Sequence, residues 1–357
     1  MARFRRCVHL FLALDGSRTV GLAPSTGVEL DLTDDDVELL RGLPEDRWTE
    51  LDETPRLHEL VRAGVVVAEG GDALDRRVST LQWLPVAALF HRATSWRDVG
   101  VQLDEAAAEA ERGDREPLPP DFKAVEGAQA RIDLPLVERD DGLYALLVRR
   151  ASARVFARER RLALRELAVL LRYVWGVHGS YPLARGGHGF RKTSPSGGSL
   201  HPVEVYPLLL DAEGFAAGLY HYRPDVHALE LLEGLDADEA RALAVEFTAG
   251  QRYFADAQAL FVMTSRFYRN FWRYVRHDKA YAAQLMDAAH LSQTFYLVCT
   301  ELGLGPFVTV AINNANVDDR LGLRALEEGS VAICGCGVPA ADPPRNLQPS
   351  FEPFVLR

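Results

Sequence analysis

Residues 279–302 read KAYAAQLMDAAHLSQTFYLVCTEL. No proline or glycine interrupts them, and Gly303 follows, so the stretch predicts one long helix. Most of its faces are apolar, which predicts burial. One stripe is polar: Gln284, Asp287, His290 and Thr294 follow at intervals of 3, 3 and 4. Buried polar groups need partners, and these are expected from another helix, a subunit or a ligand. A lone histidine in such a stripe reads as structural. On either side lie short apolar strand candidates: 203–210, 259–264 and 331–338. Two more, 218–222 and 227–232, flank Arg223-Pro224-Asp225, a hairpin turn. Leu164, Leu167, Leu171, Val174 and Trp175 have helical spacing. Strands mixed with long helices predict an α+β or α/β domain.

The chain around this helix has 357 residues, 48% hydrophobic and 25% charged, which excludes wholesale disorder. That length predicts roughly two domains. With 40 Lys+Arg against 51 Asp+Glu the net charge is −11, so nucleic acid is an unsuitable partner, although a local basic pocket for one phosphate is compatible. Four cysteines form neither a disulfide ladder nor a paired zinc motif. Cys334 and Cys336 are placed to share one face of a strand. The N-terminus, MARFRRCVHLFLALDGSR, has too short an apolar run for a signal peptide and reads as a strand with a turn at Asp15-Gly16. Nothing approaches the roughly 20 apolar residues that span a bilayer. A cytoplasmic protein with no membrane association is expected.

Residues 1–112 are expected to form an N-terminal region. Strand candidates at 7–13 and 28–32 precede a helix capped by Thr33 and ending before Pro44, then a helix near 55–63 and a strand at 65–68. This pattern suggests a winged-helix-like unit, either a cap on the main domain or a peptide-docking module. Residues 70–112 are mainly helical by pattern. Residues 113–140, polar and proline-bearing, read as a linker, and 141–357 as the larger domain.

Three further constellations could carry chemistry. Arg150, Ser152 and Arg154 alternate, so an extended backbone would present two guanidiniums and a hydroxyl to one anion; a solvated basic segment is the plainer reading. Lys192 to Pro202 reads KTSPSGGSLHP, a loop whose glycines permit close ligand approach, without a Walker A or dinucleotide fingerprint. Residues 267–281, FYRNFWRYVRHDKAY, are dense in aromatics and bases. There Trp272, Arg273, Tyr274, Lys279 and Tyr281 could line a pocket for a flat group, or form an amphipathic surface. No nucleophile elbow and no metal-ligand spacing is present.

Four stretches, in order, resemble the SagB-type dehydrogenases of the nitroreductase-like flavin superfamily, over about 145–340. RASARVF (150–156) is similar to an R-x-S-x-R-x-F opening, and SPSGGSLHPVEVYPL (194–208) to P-S-A-G-x-x-Y-P-x-E-x-Y. GLYHYRPDVHALE (218–230) resembles G-L-Y-x-Y-x-P-x-x-H-x-L, and LMDAAHLSQTFYLVCTELGLGP (285–306) resembles the L-D-x-G-H-x-x-Q-N-x-x-L helix. The resemblance implies an α+β nitroreductase-like FMN-binding domain, with an N-terminal module similar to a leader-peptide recognition element. It implies a homodimer whose subunits build each flavin site together. Arg150, Ser152 and Arg154 would hold the phosphate, ribityl chain and N1/O2 edge. Pro195, Ser196, Gly197, Gly198 and Ser199 would pack on the cofactor. Gly305, Phe307 and Val308 would lie near the ring, with a backbone N–H in reach of N5, and the polar stripe would lie at the dimer seam.

The family's Lys-Tyr pair, implicated in proton removal, is matched here by Arg273-Tyr274. Arginine stays protonated near neutral pH, so Tyr274 or Lys279 takes that role, or the substrate differs; Tyr281 completes the catalytic candidates. His201, Gly197 and Ala289 also depart from the pattern. The implied activity is oxidation of thiazoline or oxazoline rings in a ribosomally made precursor peptide, with a cyclodehydratase or other maturation enzyme as partner. Alternatives are Cα–Cβ dehydrogenation of a peptide residue, NAD(P)H-dependent reduction of small molecules, and a non-catalytic peptide scaffold.

Overall fold

The computed structural model describes residues 2–100, 141–183 and 187–343, with a few more between 122 and 139. The expected Ala/Glu-rich helix at 104–112 and most of the 113–140 linker lie outside the described residues.

The centre is a six-stranded antiparallel sheet. Its strands are β9 (Val203–Leu209), β10 (Gly218–Arg223), β11 (Ala228–Gly234), β12 (Ala259–Arg266), β13 (Gly305–Thr309) and β14 (Glu328–Gly337), in the order β11-β10-β9-β12-β14-β13. Central β12 is apolar from Ala259 to Met263 because both its faces are covered there. Phe261 and Met263 point to one core, with Leu167 and Leu171 of helix α6 (Leu164–Val174) and Leu291 and Phe295 of the long helix α9 (Ala280–Glu301). Leu260 and Val262 point to the other, with Leu243 and Phe247 of α7 (Ala237–Phe247). Cys334, Cys336 and Cys299 share the first core, as same-face spacing requires. The mixed α+β architecture and the Arg223–Asp225 hairpin agree with the sequence.

The N-terminal residues form two small sheets. One has the order β5-β1-β6 (Thr49–Leu51, Ala2–Arg6, Val66–Ala68); the other is β2-β3-β4 (Phe11–Asp15, Arg18–Leu22, Leu30–Leu32). Helices α1 (Asp34–Gly42) and α2 (Pro55–Arg62) complete them. Thr33 caps α1 as expected: its hydroxyl accepts from the Asp36 N–H at 3.2 Å, while Asp36 Oδ2 accepts from the Thr33 N–H at 2.8 Å. The winged-helix arrangement, however, is not confirmed by these paired three-stranded sheets. Of the expected strand at 7–13 only 11–13 are strand, as the start of β2; β1 ends before it at Arg6. β1 is arginine-rich, yet Arg5 is buried because Asp75 meets it at 2.6 Å. Helices α3 (Ala73–Thr80) and α4 (Pro85–Ala93) bring Val78, Trp83 and Ala88 against Phe267, Phe271 and Ala280 of the large unit.

Candidate functional site

Helix α9 organises the site because its polar stripe is spoken for within one chain. Asp287, 4% exposed, accepts from the Ser196 hydroxyl at 2.6 Å and the Gly197 N–H at 3.0 Å. Thr294 Oγ1 lies 2.6 Å from Ser194 Oγ, and the His290 carbonyl accepts from Ser194 at 3.3 Å. Gln284 is held by Ser265 and Phe267 of the neighbouring elements. The stripe therefore anchors the 194–197 turn of its own chain. A helix wheel shows that a face is polar but not which loop returns to it. Of the stripe, the His290 ring is left over, its buried Nδ1 without a hydrogen-bond partner among the described residues.

The turn so fixed uses its two glycines differently. Gly198 has φ +66°, and a Cβ there would meet the Tyr274 hydroxyl at 2.6 Å. Gly197 is open: an added Cβ would find only Ala283 at 3.6 Å and Asn270 at 4.0 Å. Arg273 Nη1 donates to the Gly198 carbonyl at 3.3 Å. Arg273 and Tyr274 thus stand at the Pro195–Ser199 turn. Lys279 caps the start of α9 with its side chain exposed.

Arg150, Ser152 and Arg154 follow helix α5 (Gly142–Arg149) in an irregular, extended course. Ser152 Oγ lies 2.9 Å from Tyr296 Oη, and the Arg150 guanidinium sits over the same ring at 5.3 Å. Arg154 is exposed, beside the Tyr253 hydroxyl. Neither Arg150 nor Arg154 forms an ion pair among the described residues, in a chain with an excess of acid. The Ala153 N–H donates to the Pro306 carbonyl at 2.8 Å, fastening the segment to edge strand β13. Gly305 is required for this approach, since a Cβ would lie 2.5 Å from that of Ala153. Strand alternation then aims the N–H of Val308, like the Pro306 carbonyl, away from β14 and out of the sheet edge. Val308 is exposed beside it, whereas Phe307 is buried in the core.

The Arg150–Arg154 segment and the Pro195–Ser199 turn touch different sides of α9. Tyr296 meets the first, and Asp287 meets the second. The donor set fits an FMN-type group: two guanidiniums free of carboxylates, a hydroxyl, and an outward N–H at an apolar edge.

Tyr281 is turned elsewhere. Its hydroxyl lies 3.0 Å from His91 Nδ1, within an aromatic cluster with Trp83 and Phe267. Burial lowers His91 to about 3 and raises Tyr281 to about 12, so at neutral pH the phenol is protonated beside a neutral imidazole. This Tyr281 can donate a proton but is no base. Both residues line a cavity of about 490 Å3, mostly apolar, that also reaches Val308 and Val310. His91 and Tyr296 were not legible as site residues, because each acts through a partner distant in sequence. Among the described residues no group of His, Cys, Asp and Glu could hold a metal, and no helix is long and apolar enough to cross a membrane.

Comparison with known proteins bears on this geometry. A family model described as "Nitroreductase family" matches residues 147–338. MJ1384 of Methanocaldococcus jannaschii, named as a nitroreductase, is 31% identical over 198 residues, covering 56% of this chain and 92% of that protein. The trifolitoxin-processing protein TfxB of Rhizobium leguminosarum bv. trifolii is 26% identical over 224 residues, 61% of this chain and 59% of TfxB. Among solved structures, a chain of the E. coli microcin synthetase McbBCD complex with truncated pro-MccB17 bound aligns at TM-score 0.47 and 19% identity, over 81% of this chain and 97% of that one.

Proposed function

The chain belongs to the nitroreductase family, and on that premise we propose that it is an FMN-dependent dehydrogenase of a modified peptide, oxidising thiazoline or oxazoline rings to thiazoles or oxazoles. The observation that carries the flavin part is the pair of unneutralised guanidiniums at Arg150 and Arg154 beside an outward backbone N–H at Val308. FMN, when bound, supplies a hydride acceptor at N5. Arg150, Ser152 and Arg154 bind its phosphate, ribityl chain and N1/O2 edge, where positive charge stabilises an anionic reduced ring. The Gly305–Val308 edge orients the ring. Pro195–Ser199 of a second copy closes the other side, since α9 separates that turn from Arg150–Arg154 within one chain.

Proton removal falls to Tyr274, at the glycine turn, or to Lys279, exposed at the start of α9. Arg273 remains a cation that holds the Gly198 carbonyl. Tyr281, protonated and backed by His91, serves to donate a hydrogen bond. The peptide part rests on the sequence resemblance and on a relative named for trifolitoxin processing. The N-terminal module would dock the precursor peptide, and a cyclodehydratase or other maturation enzyme would supply the heterocycle. Incubating FMN-loaded protein with azoline-bearing peptides, and following the mass loss of one hydrogen molecule per ring, tests this. Turnover of unmodified peptide instead would assign Cα–Cβ dehydrogenation.

A second reading, NAD(P)H-dependent reduction of small molecules, is favoured by the similarity to MJ1384, which covers 92% of that protein and 56% of this chain. Rapid flavin bleaching by NADPH, with turnover of nitroaromatics and none of azoline peptides, would select it.

A further inference from the structure

A larger cavity, of about 800 Å3, opens behind the glycine turn, among β9, β10, the end of α6 and the residues leading into the turn. None of Arg150, Ser152, Arg154 and the β13 residues lines it. Its walls carry several cations and few free acids. Glu204 is engaged by Arg266 at 2.9 Å and His221 at 3.6 Å. Glu328 accepts from the hydroxyls of Thr264 and Tyr206, and Asp225 meets Arg223 at 2.7 Å. Three cations remain without a carboxylate among the described residues: Lys192, Arg172 and Arg269. Arg172 and Arg269 reach only backbone carbonyls, those of Val177 and Leu200. Lys192 makes no hydrogen bond or ion pair among the described residues; burial pulls it down to about 8, the Glu204 carboxylate opposing that shift and Arg269 adding to it. His201, beside them, directs Nε2 at the Phe190 carbonyl at 2.9 Å and is held neutral, down to about 4, by burial and by Lys192.

Glu204, already paired with Arg266 and His221, offsets Lys192 and Arg269 only from a distance, and gathering cations that no carboxylate contacts in a half-buried recess costs free energy that an anion would return. A cavity of this volume suits a small organic ligand. We propose that it is a second binding site, taking a small ligand through an oxyanion, a carboxylate or a phosphate, held by Lys192 and Arg269. The site is also coupled to the turn. The His201 N–H donates to Ser196 Oγ at 2.9 Å, and that hydroxyl donates onward to Asp287. A ligand drawing on Lys192 and His201 therefore presses on the same residues that fix Pro195–Ser199.

The test is calorimetric titration of the full-length, FMN-loaded protein with inorganic phosphate and, separately, with glutarate, at ionic strength held constant with chloride. Loading with FMN fills any phosphate site at Arg150 and Arg154 beforehand. Saturable binding of one ion is expected, and the ion preferred identifies the group as phosphate or carboxylate. Lys192→Gln and Arg269→Gln should each weaken it about tenfold or more, as loss of a charge-assisted contact does, with visible flavin absorbance unchanged. The proposal is overturned if neither ion saturates the wild-type protein, or if both variants bind like wild type. The wild-type titration decides by itself should a variant misfold.

Discussion

Replacing Asp287 by alanine removes the carboxylate on which the glycine turn is seated. Two bonds disappear, from the Ser196 hydroxyl at 2.6 Å and the Gly197 N–H at 3.0 Å. Bonds to an ionised acceptor contribute about 1.5–3 kcal/mol each, which would sum to about 3–6 kcal/mol. The carboxylate is itself burdened, however. Burial raises its pKa, and the two bonds only partly offset that, so deleting it also relieves a desolvation cost. The net loss for Asp287→Ala is therefore expected at about 2–3 kcal/mol. Asp287→Asn keeps an acceptor for the Gly197 N–H without the buried charge, and should lose about 1 kcal/mol. Urea unfolding followed by near-ultraviolet circular dichroism measures both. Because the turn is assigned to the flavin, FMN affinity should fall in the same order. An Asp287→Ala protein as stable as wild type, with FMN affinity unaltered, would refute the anchoring role.

Other substitutions probe the remaining parts. Gly198→Ala places a side chain at φ +66° and against the Tyr274 hydroxyl; the left-handed backbone alone costs about 1–2 kcal/mol, and adding Tyr274→Ala should recover only the steric remainder in urea unfolding. Arg150→Met and Arg154→Met should each weaken FMN binding about tenfold, measured by flavin fluorescence quenching, because each removes a charge-assisted contact. Glu204 gives a pH signature. Burial works to raise its pKa, but the His221 and Arg266 contacts outweigh that and hold it down to about 2. Its contribution is present above the ordinary value of 4.5 and is lost as pH falls through about 2. Glu204→Gln should flatten the acid limb of the melting temperature against pH, and an unchanged limb would exclude the pair as its source.

Legibility in the sequence followed the range of the interactions. β12, α6 and α9 were readable because burial imprints a local pattern, and the 331–338 strand differed from β14 only at its ends. Thr33 was readable because a capping box closes within four residues. β1 was not: ARFRR looks like a solvated stretch, and its burial depends on Asp75, some seventy positions later. The same limit governed the site. Arg150, Ser152 and the glycine turn were singled out from composition, while their seats, Tyr296 and Asp287, become visible only once α9 stands between them. Asp287 was noticed as part of a polar stripe, yet the helical wheel could not say that the stripe serves its own chain. The cluster of Lys192, His201 and Arg269 left no periodic trace, since it joins a turn to helix α8 (Phe267–Phe271).

A crystal structure of the protein grown with FMN tests most directly whether a flavin crevice is built from two chains. Electron density for the flavin is expected between Arg150–Arg154 of one chain and Pro195–Ser199 of its partner, with the ring over the Gly305–Val308 edge. A dimer that leaves those two stretches apart, or a flavin bound by neither, would contradict it.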